Sequence, residues 1–199
     1  MDKKLPVYRI TVTDKEDEDK IMIALVQNPA MESNFVAFNK HETETMMKFQ
    51  VDSDRRIITG AVLIPNFKIY RNDETRGEHE VYLTEDDVEL FWKKWARGGR
   101  HNEVNLMHNP ENKPNGVYLL ESILSDKERG IVAPQKLQGQ FPNKTWFQSY
   151  LVEDDQVWGD VKSGKFKGFS MEMMANYMFS KQDKPTDDFS ELIAILNNF

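Results

Sequence analysis

No cysteine occurs among the 199 residues, so disulfides, thiolate metal sites and a cysteine nucleophile are excluded together. Any covalent nucleophile must then be Ser, Thr, Lys or a carboxylate. Histidine is nearly as scarce: His41, His79, His101 and His108 are the whole supply of imidazole bases. No apolar run is long enough for a membrane-spanning helix, and the charged opening Met1-Asp2-Lys3-Lys4 leads into a strand pattern instead of a signal-peptide core. The expectation is a soluble, unexported protein with no membrane partner. Positive charge is also short. The 26 Lys and Arg stand against 33 Asp and Glu, a formal charge of −7, which counts against a general affinity for nucleic acid.

What is present points to one folded domain over residues 1–199. The chain is 39% hydrophobic and 30% charged, and its four Trp and most of its twelve Phe fall in periodic segments. Period-two or continuous apolar patterns predict strands at Val7 to Val12, Lys20 to Val26, Phe35 to Phe38, Met46 to Val51, Arg56 to Ile64, Val81 to Leu83, Val104 to His108, Tyr118 to Leu124 and Trp146 to Val152. The first two are expected to pair, and Gly60 marks a candidate bulge. The clearest helix follows Thr84, with Asp87 at the capping-box position, a stripe of Val88, Phe91, Trp92 and Trp95, and a stop at Gly98-Gly99. A shorter helix spans Asp154 to Lys162. An amphipathic helix is predicted from Thr186 to Phe199, with Phe189, Leu192, Ile193 and Leu196 on one side. Ser125 to Asn143 reads as a long, substrate-adjacent or mobile loop. Strands outnumber helices without alternating with them, so the predicted class is α+β, mainly antiparallel β.

The chemistry-bearing stretch is Lys165-Phe166-Lys167-Gly168-Phe169-Ser170-Met171-Glu172-Met173-Met174. As a strand it turns Phe169, Met171 and Met173 to one face and Gly168, Ser170 and Glu172 to the other. Ser170 can then face a cleft, beside a Gly168 that allows a substrate backbone close approach. A serine nucleophile needs a base. His41 and His79 stand among charged residues, and the helix exit is reason enough for His101. His108 closes a short apolar strand at a turn, where site residues are often placed. An acid to orient the imidazole is next: Glu121, on the following strand, is the first candidate if a hairpin brings it to His108, with Asp126, Glu172 and Asp183 as the others. No His-x-x-x-His pair, EF-hand loop or Gly-rich phosphate loop occurs, so neither metal nor cofactor is expected.

The segments Ala24-Leu25-Val26-x-Asn28-Pro29-Ala30, Thr59-Gly60-Ala61-Val62-Leu63-Ile64-Pro65-Asn66, Ile69-Tyr70-Arg71, Asn105-x-x-His108, Glu121-Ser122, Thr145-Trp146 and Lys167-Gly168-Phe169-Ser170-x-Glu172 together resemble the XkdF-type phage serine proteases. These are similar to prohead maturation proteases and, more distantly, to herpesvirus assemblins. The resemblance implies a β-barrel-like domain with surrounding helices and a cofactor-free serine endopeptidase acting inside an assembling procapsid, in the host cytoplasm. Its substrates would be the scaffold protein, a segment of the major capsid protein and the enzyme itself. A homodimer through the Phe189 to Phe199 helix would be compatible. Ser170 matches the family's serine and His108 its histidine. Assemblins use a second histidine as third residue, but no histidine follows Ser170, leaving Glu121 or a dyad. The chain also carries Lys144 and Met173 where the family often has glycine. A catalytically silent scaffolding homologue that binds capsid subunits is the alternative. A nucleic-acid-associated virion protein, with Lys162, Lys165 and Lys167 as a basic edge, is the other, and the acidic balance disfavours it.

Overall fold

The computed structural model describes residues 5–11, 20–27, 50–99, 101, 103–139, 141–174 and 178–181. Among them run β1 (Val7–Thr11), β2 (Lys20–Val26), β3 (Gln50–Asp52), β4 (Ile57–Leu63), β5 (Ile69–Asp73), β6 (Gly77–Tyr82), α1 (Glu85–Arg97), β7 (Val104–Leu106), β8 (Val117–Leu124), β9 (Trp146–Val152), α2 (Asp155–Lys162), β10 (Gly168–Met174) and β11 (Met178–Lys181). Three sheets result, with strand orders β11-β1-β6-β5, β10-β2-β7 and β3-β4-β9-β8. Only β1 with β6 and β2 with β7 pair in parallel; the other pairings are antiparallel. The protein is therefore α+β and mainly antiparallel. The described strands form three sheets and no closed barrel.

The second sheet is built on β2. Its run Ile21-Met22-Ile23-Ala24-Leu25-Val26 is apolar at every position, and all six side chains are buried, as a strand covered on both faces requires. Ile21, Ile23 and Leu25 join Phe91 and Trp95 of α1, Ile58 of β4, Tyr150 of β9 and Phe169 of β10 in the main core. Each such side chain contributes about 1.5–3 kcal/mol relative to an exposed one. α1 starts where the sequence places it: Thr84 Oγ1 accepts from the Asp87 amide, and Asp87 Oδ2 accepts from the Thr84 amide at 2.8 Å. Arg9 of β1 donates to both oxygens of Asp87, at 3.0 and 3.1 Å, and so ties the first sheet to the helix start.

Several expectations change. β1 and β2 do not pair: β1 lies between β11 and β6, and β2 between β10 and β7. Gly60 sits in regular register with Gln148, and the irregularity lies at Val62, between Ala61 and Leu63. The strand expected at Val81 to Leu83 begins earlier, as β6 (Gly77–Tyr82), while β5 and β11 are strands that periodicity did not single out. The loop after Ser125 is tied down at both ends. Lys144 N donates to Ser125 O at 2.8 Å, Lys127 N to Asn143 Oδ1 at 2.9 Å, and Leu137 is buried beside Ala61, Ile64 and Phe147. The strand expected at Phe35 to Phe38, most of that at Met46 to Val51 and the helix at Thr186 to Phe199 lie outside the described residues.

Candidate active site

Ser170 stands on β10 with its partner row fixed by register. It faces Ala24 of β2, and Ala24 is level with Asn105 of β7, so Ser170, Ala24 and Asn105 share one face of the second sheet. Phe169 and Met171 pack on the opposite side, in or against the main core, as the period-two pattern predicts. Ser170 is half-buried, whereas Asn105 and Ala24 are fully buried. Asn105 entered the sequence analysis only within the Asn105-x-x-His108 segment and was given no role there; strand register is what puts it in this row.

His108 lies beyond the other outer strand of the same sheet. It does not close β7. That strand ends at Leu106, and Met107 and His108 form a reversal with φ of 55° and 59°, closed by Asn109 N donating to Leu106 O at 3.1 Å. Two successive left-handed residues with this bond are the signature of a type I′ turn, which strongly favours Asn and Gly. Here neither central residue is glycine, so the turn stores about 1 kcal/mol or more per position. The turn is anchored to β2 through Met107 N donating to Leu25 O at 2.9 Å, and Met107 Sδ accepts from Gln27 N at 3.4 Å. Strand spacing separates the axes of β10 and β7 by about 10 Å, with β2 between them. Among the described residues Ser170 Oγ makes no hydrogen bond, so it is not joined to His108 in this structure.

Glu121 is placed elsewhere. The hairpin that was to bring it to His108 does not form, because β7 pairs with β2 and β8 with β9. Glu121 Oε2 accepts from Ser149 Oγ at 2.8 Å, and Ser149 Oγ is 2.9 Å from Thr59 Oγ1. The single Ser149 proton goes to Glu121, so Thr59 donates to Ser149. These three side chains line a cavity of about 290 Å³ that also takes in Leu120, Arg55 and Lys136. Ser170 lines a different, smaller cavity of about 60 Å³, and the two share no residue. The larger cavity is thus not where the candidate nucleophile sits. Of the other acids, Asp126 is committed to Lys144, while Glu172 and Asp183 have no described side chain.

Lys144 stands where the resemblance implies glycine. Its φ is +59°, a conformation that favours glycine. Its ammonium offsets that strain by donating to Glu89 of α1 and to Asp126, both at 2.8 Å. The same contacts pull both carboxyls below their ordinary values, with the hydrogen bond from Lys144 the first cause in each case and Lys93 adding to the effect on Glu89. They push the Lys144 ammonium well above its ordinary value, the bond to Asp126 leading.

One sheet thus carries a half-buried serine on its outer strand β10, with a strained histidine in the turn that follows its other outer strand, β7. Among the described residues no cluster of His, Asp and Glu fits a metal ion. A family model described as "Putative phage serine protease XkdF" matches residues 42–178, well over half the chain, and the protein belongs to that family. No curated protein and no solved structure matches it.

Proposed function

We propose that the protein is a capsid-maturation serine endopeptidase that cleaves scaffold protein, segments of the major capsid protein and its own chain within the procapsid. The observation that carries this reading, beside family membership, is His108 held in a strained left-handed turn on the sheet that bears Ser170. Backbone strain of this kind clusters at active sites, where the surrounding structure holds it. Ser170 Oγ attacks the scissile carbonyl, and His108 takes its proton and returns it to the leaving amine. The acyl-enzyme is then hydrolysed by water. The turn has to approach Ser170 when substrate binds, since catalytic hydrogen bonds often tighten only in the complex. With Glu121 engaged by Ser149, the contacts favour a dyad.

The alternative is a silent scaffolding homologue, favoured by the missing Ser170 to His108 bond. Co-expression with the phage's capsid and scaffold proteins, followed by mass analysis, separates the two. Wild type is expected to trim them, and Ser170→Ala and His108→Ala to stop the trimming. Glu121→Gln is expected to leave the rate within about threefold, whereas loss of a triad carboxylate would cost several powers of ten. Co-assembly without trimming by wild type would establish the scaffolding role.

A further inference from the structure

The hairpin after β8 carries an exposed tip, residues 127–132. Val132 is 65% exposed although it lies two residues before Pro134, which lines the larger cavity, so the tip does not fill the cavity of its own chain. The tip is nevertheless held in shape. Asp126 and Ile131 exchange two backbone bonds of 2.8 Å, Gly130 N donates to Lys127 O at 3.2 Å, and Asp126 Oδ1 accepts from the amides of Glu128 and Arg129 at 3.1 and 3.3 Å. We infer that this tip seats in the larger cavity of a second copy of the chain, the two copies exchanging tips across a two-fold axis. The inference is independent of the protease reading.

The argument is one of complementarity. The cavity opens on the face of the third sheet turned away from the main core, since Thr59 and Ser149 alternate with the core residues Ile58 and Tyr150. Its apolar walls are Val51, Ile57, Leu120, Pro134 and Leu137. Among the described residues six large hydrophobics are exposed, and four of them, Val51, Leu120, Ile131 and Val132, belong to this cavity or to the tip. Apolar surface gathered in this way marks a contact site. The charges match as well. Asp52 at the cavity is taken by Arg55, whose Nε and Nη2 donate to it at 2.8 and 2.6 Å, with Lys136 adding to the positive field there. Glu121 accepts from Ser149 and meets no cation among the described residues, so it is the carboxylate left over. On the tip, the side chains of Lys127 and Arg129 make no ion pair among the described residues. Seating the tip brings Arg129 to Glu121 of the second copy and Ile131 and Val132 to the apolar walls. A foreign partner would match either the tip or the cavity, whereas a second copy matches both at once, the self-complementary contact of a two-fold dimer. Because the tip is already ordered, little conformational freedom is lost on docking.

The test is sedimentation of the full chain over a concentration series, for wild type, Glu121→Arg, Arg129→Glu and the double variant. Wild type is expected to pass from one chain to two. Each single variant sets like charges against each other and should weaken the dimer at least about 10-fold, and the double variant, with the pair reversed, should recover it. A cross-link decides by itself if a variant fails to fold. The chain has no cysteine, so Leu120→Cys and Val132→Cys each offer one thiol. Treated with bis-maleimidoethane, a mixture of these two variants should join at least about 10-fold faster than either alone, because docking raises the effective concentration of the paired thiols. Wild type that stays a single chain up to about 1 mM overturns the inference. So does a dimer unchanged by both single charge variants, which would place the interface elsewhere, or a mixture that joins no faster than its components.

Discussion

His108→Gly is expected to raise the melting temperature by about 2–4 °C while lowering peptidase activity at least about 10³-fold. The gain follows from the φ of +59°, which glycine adopts without the clash between Cβ and carbonyl that histidine carries. It is partly offset by the greater freedom of glycine in the unfolded chain. The loss follows from removing the base. Met107→Gly, at φ +55° in the same turn, should bring a similar thermal gain and keep activity, because Met107 is not asked to move a proton. Thermal melts and peptidase assays on the two variants therefore separate strain from chemistry. A His108→Gly protein that melts lower than wild type would remove the idea that strain in this turn is kept for function.

Lys144→Ala is expected to lower the melting temperature by roughly 5 °C, a shift typical of losing about 2 kcal/mol in a chain of this size. The variant keeps the Cβ at φ +59° and forfeits the bonds to Glu89 and Asp126, which join α1 to both ends of the long loop. Lys144→Gly loses the same bonds but relieves the backbone, so it should melt between Lys144→Ala and wild type. The network also sets a pH dependence. Glu89 and Asp126 have folded values below their ordinary 4.5 and 3.8, so their contribution is complete above that range and is lost as pH falls through the lowered folded values. Lys144 has a raised value, so its contribution is complete below its ordinary 10.5 and is lost only as pH rises far above it. Wild type should thus hold a plateau between these limits and lose stability on the acid side, and Lys144→Ala should lose less there. Equal acid sensitivity in the two proteins would mean that these bonds add nothing to stability.

Local patterns carried much of the fold. The unbroken apolar run of β2, the capping box at Thr84 and Asp87 and the alternation around Ser170 each depend on neighbours in the chain, and each is found where the sequence places it. Pairing depends on residues far apart: nothing near Lys20 to Val26 says that β10 and β7 flank it and that β1 does not. Glu121 was ambiguous for a local reason. A register shift between Leu119 and Glu121 breaks the two-residue period on β8, so alternation with Leu119 and Ile123 cannot assign its face. The turn at His108 was hidden because Leu-Met-His-Asn lacks a glycine, and the apolar Met107 reads as one more strand residue. Lys144 was marked only as a departure from the glycine that the resemblance implies, and its φ of +59° is one that glycine adopts freely.

The most direct measurement of the central claim is intact-mass and peptide mapping after exposure of wild type, Ser170→Ala and His108→Ala to an alkyl fluorophosphonate. The Ser170 Oγ–P bond forms as the P–F bond breaks, with the proton taken up by His108 and fluoride released. The account predicts a single adduct on Ser170 in wild type, none in Ser170→Ala, and labelling slowed at least about 100-fold in His108→Ala. Wild type left unlabelled, an adduct on another residue, or an unchanged rate in His108→Ala would contradict it.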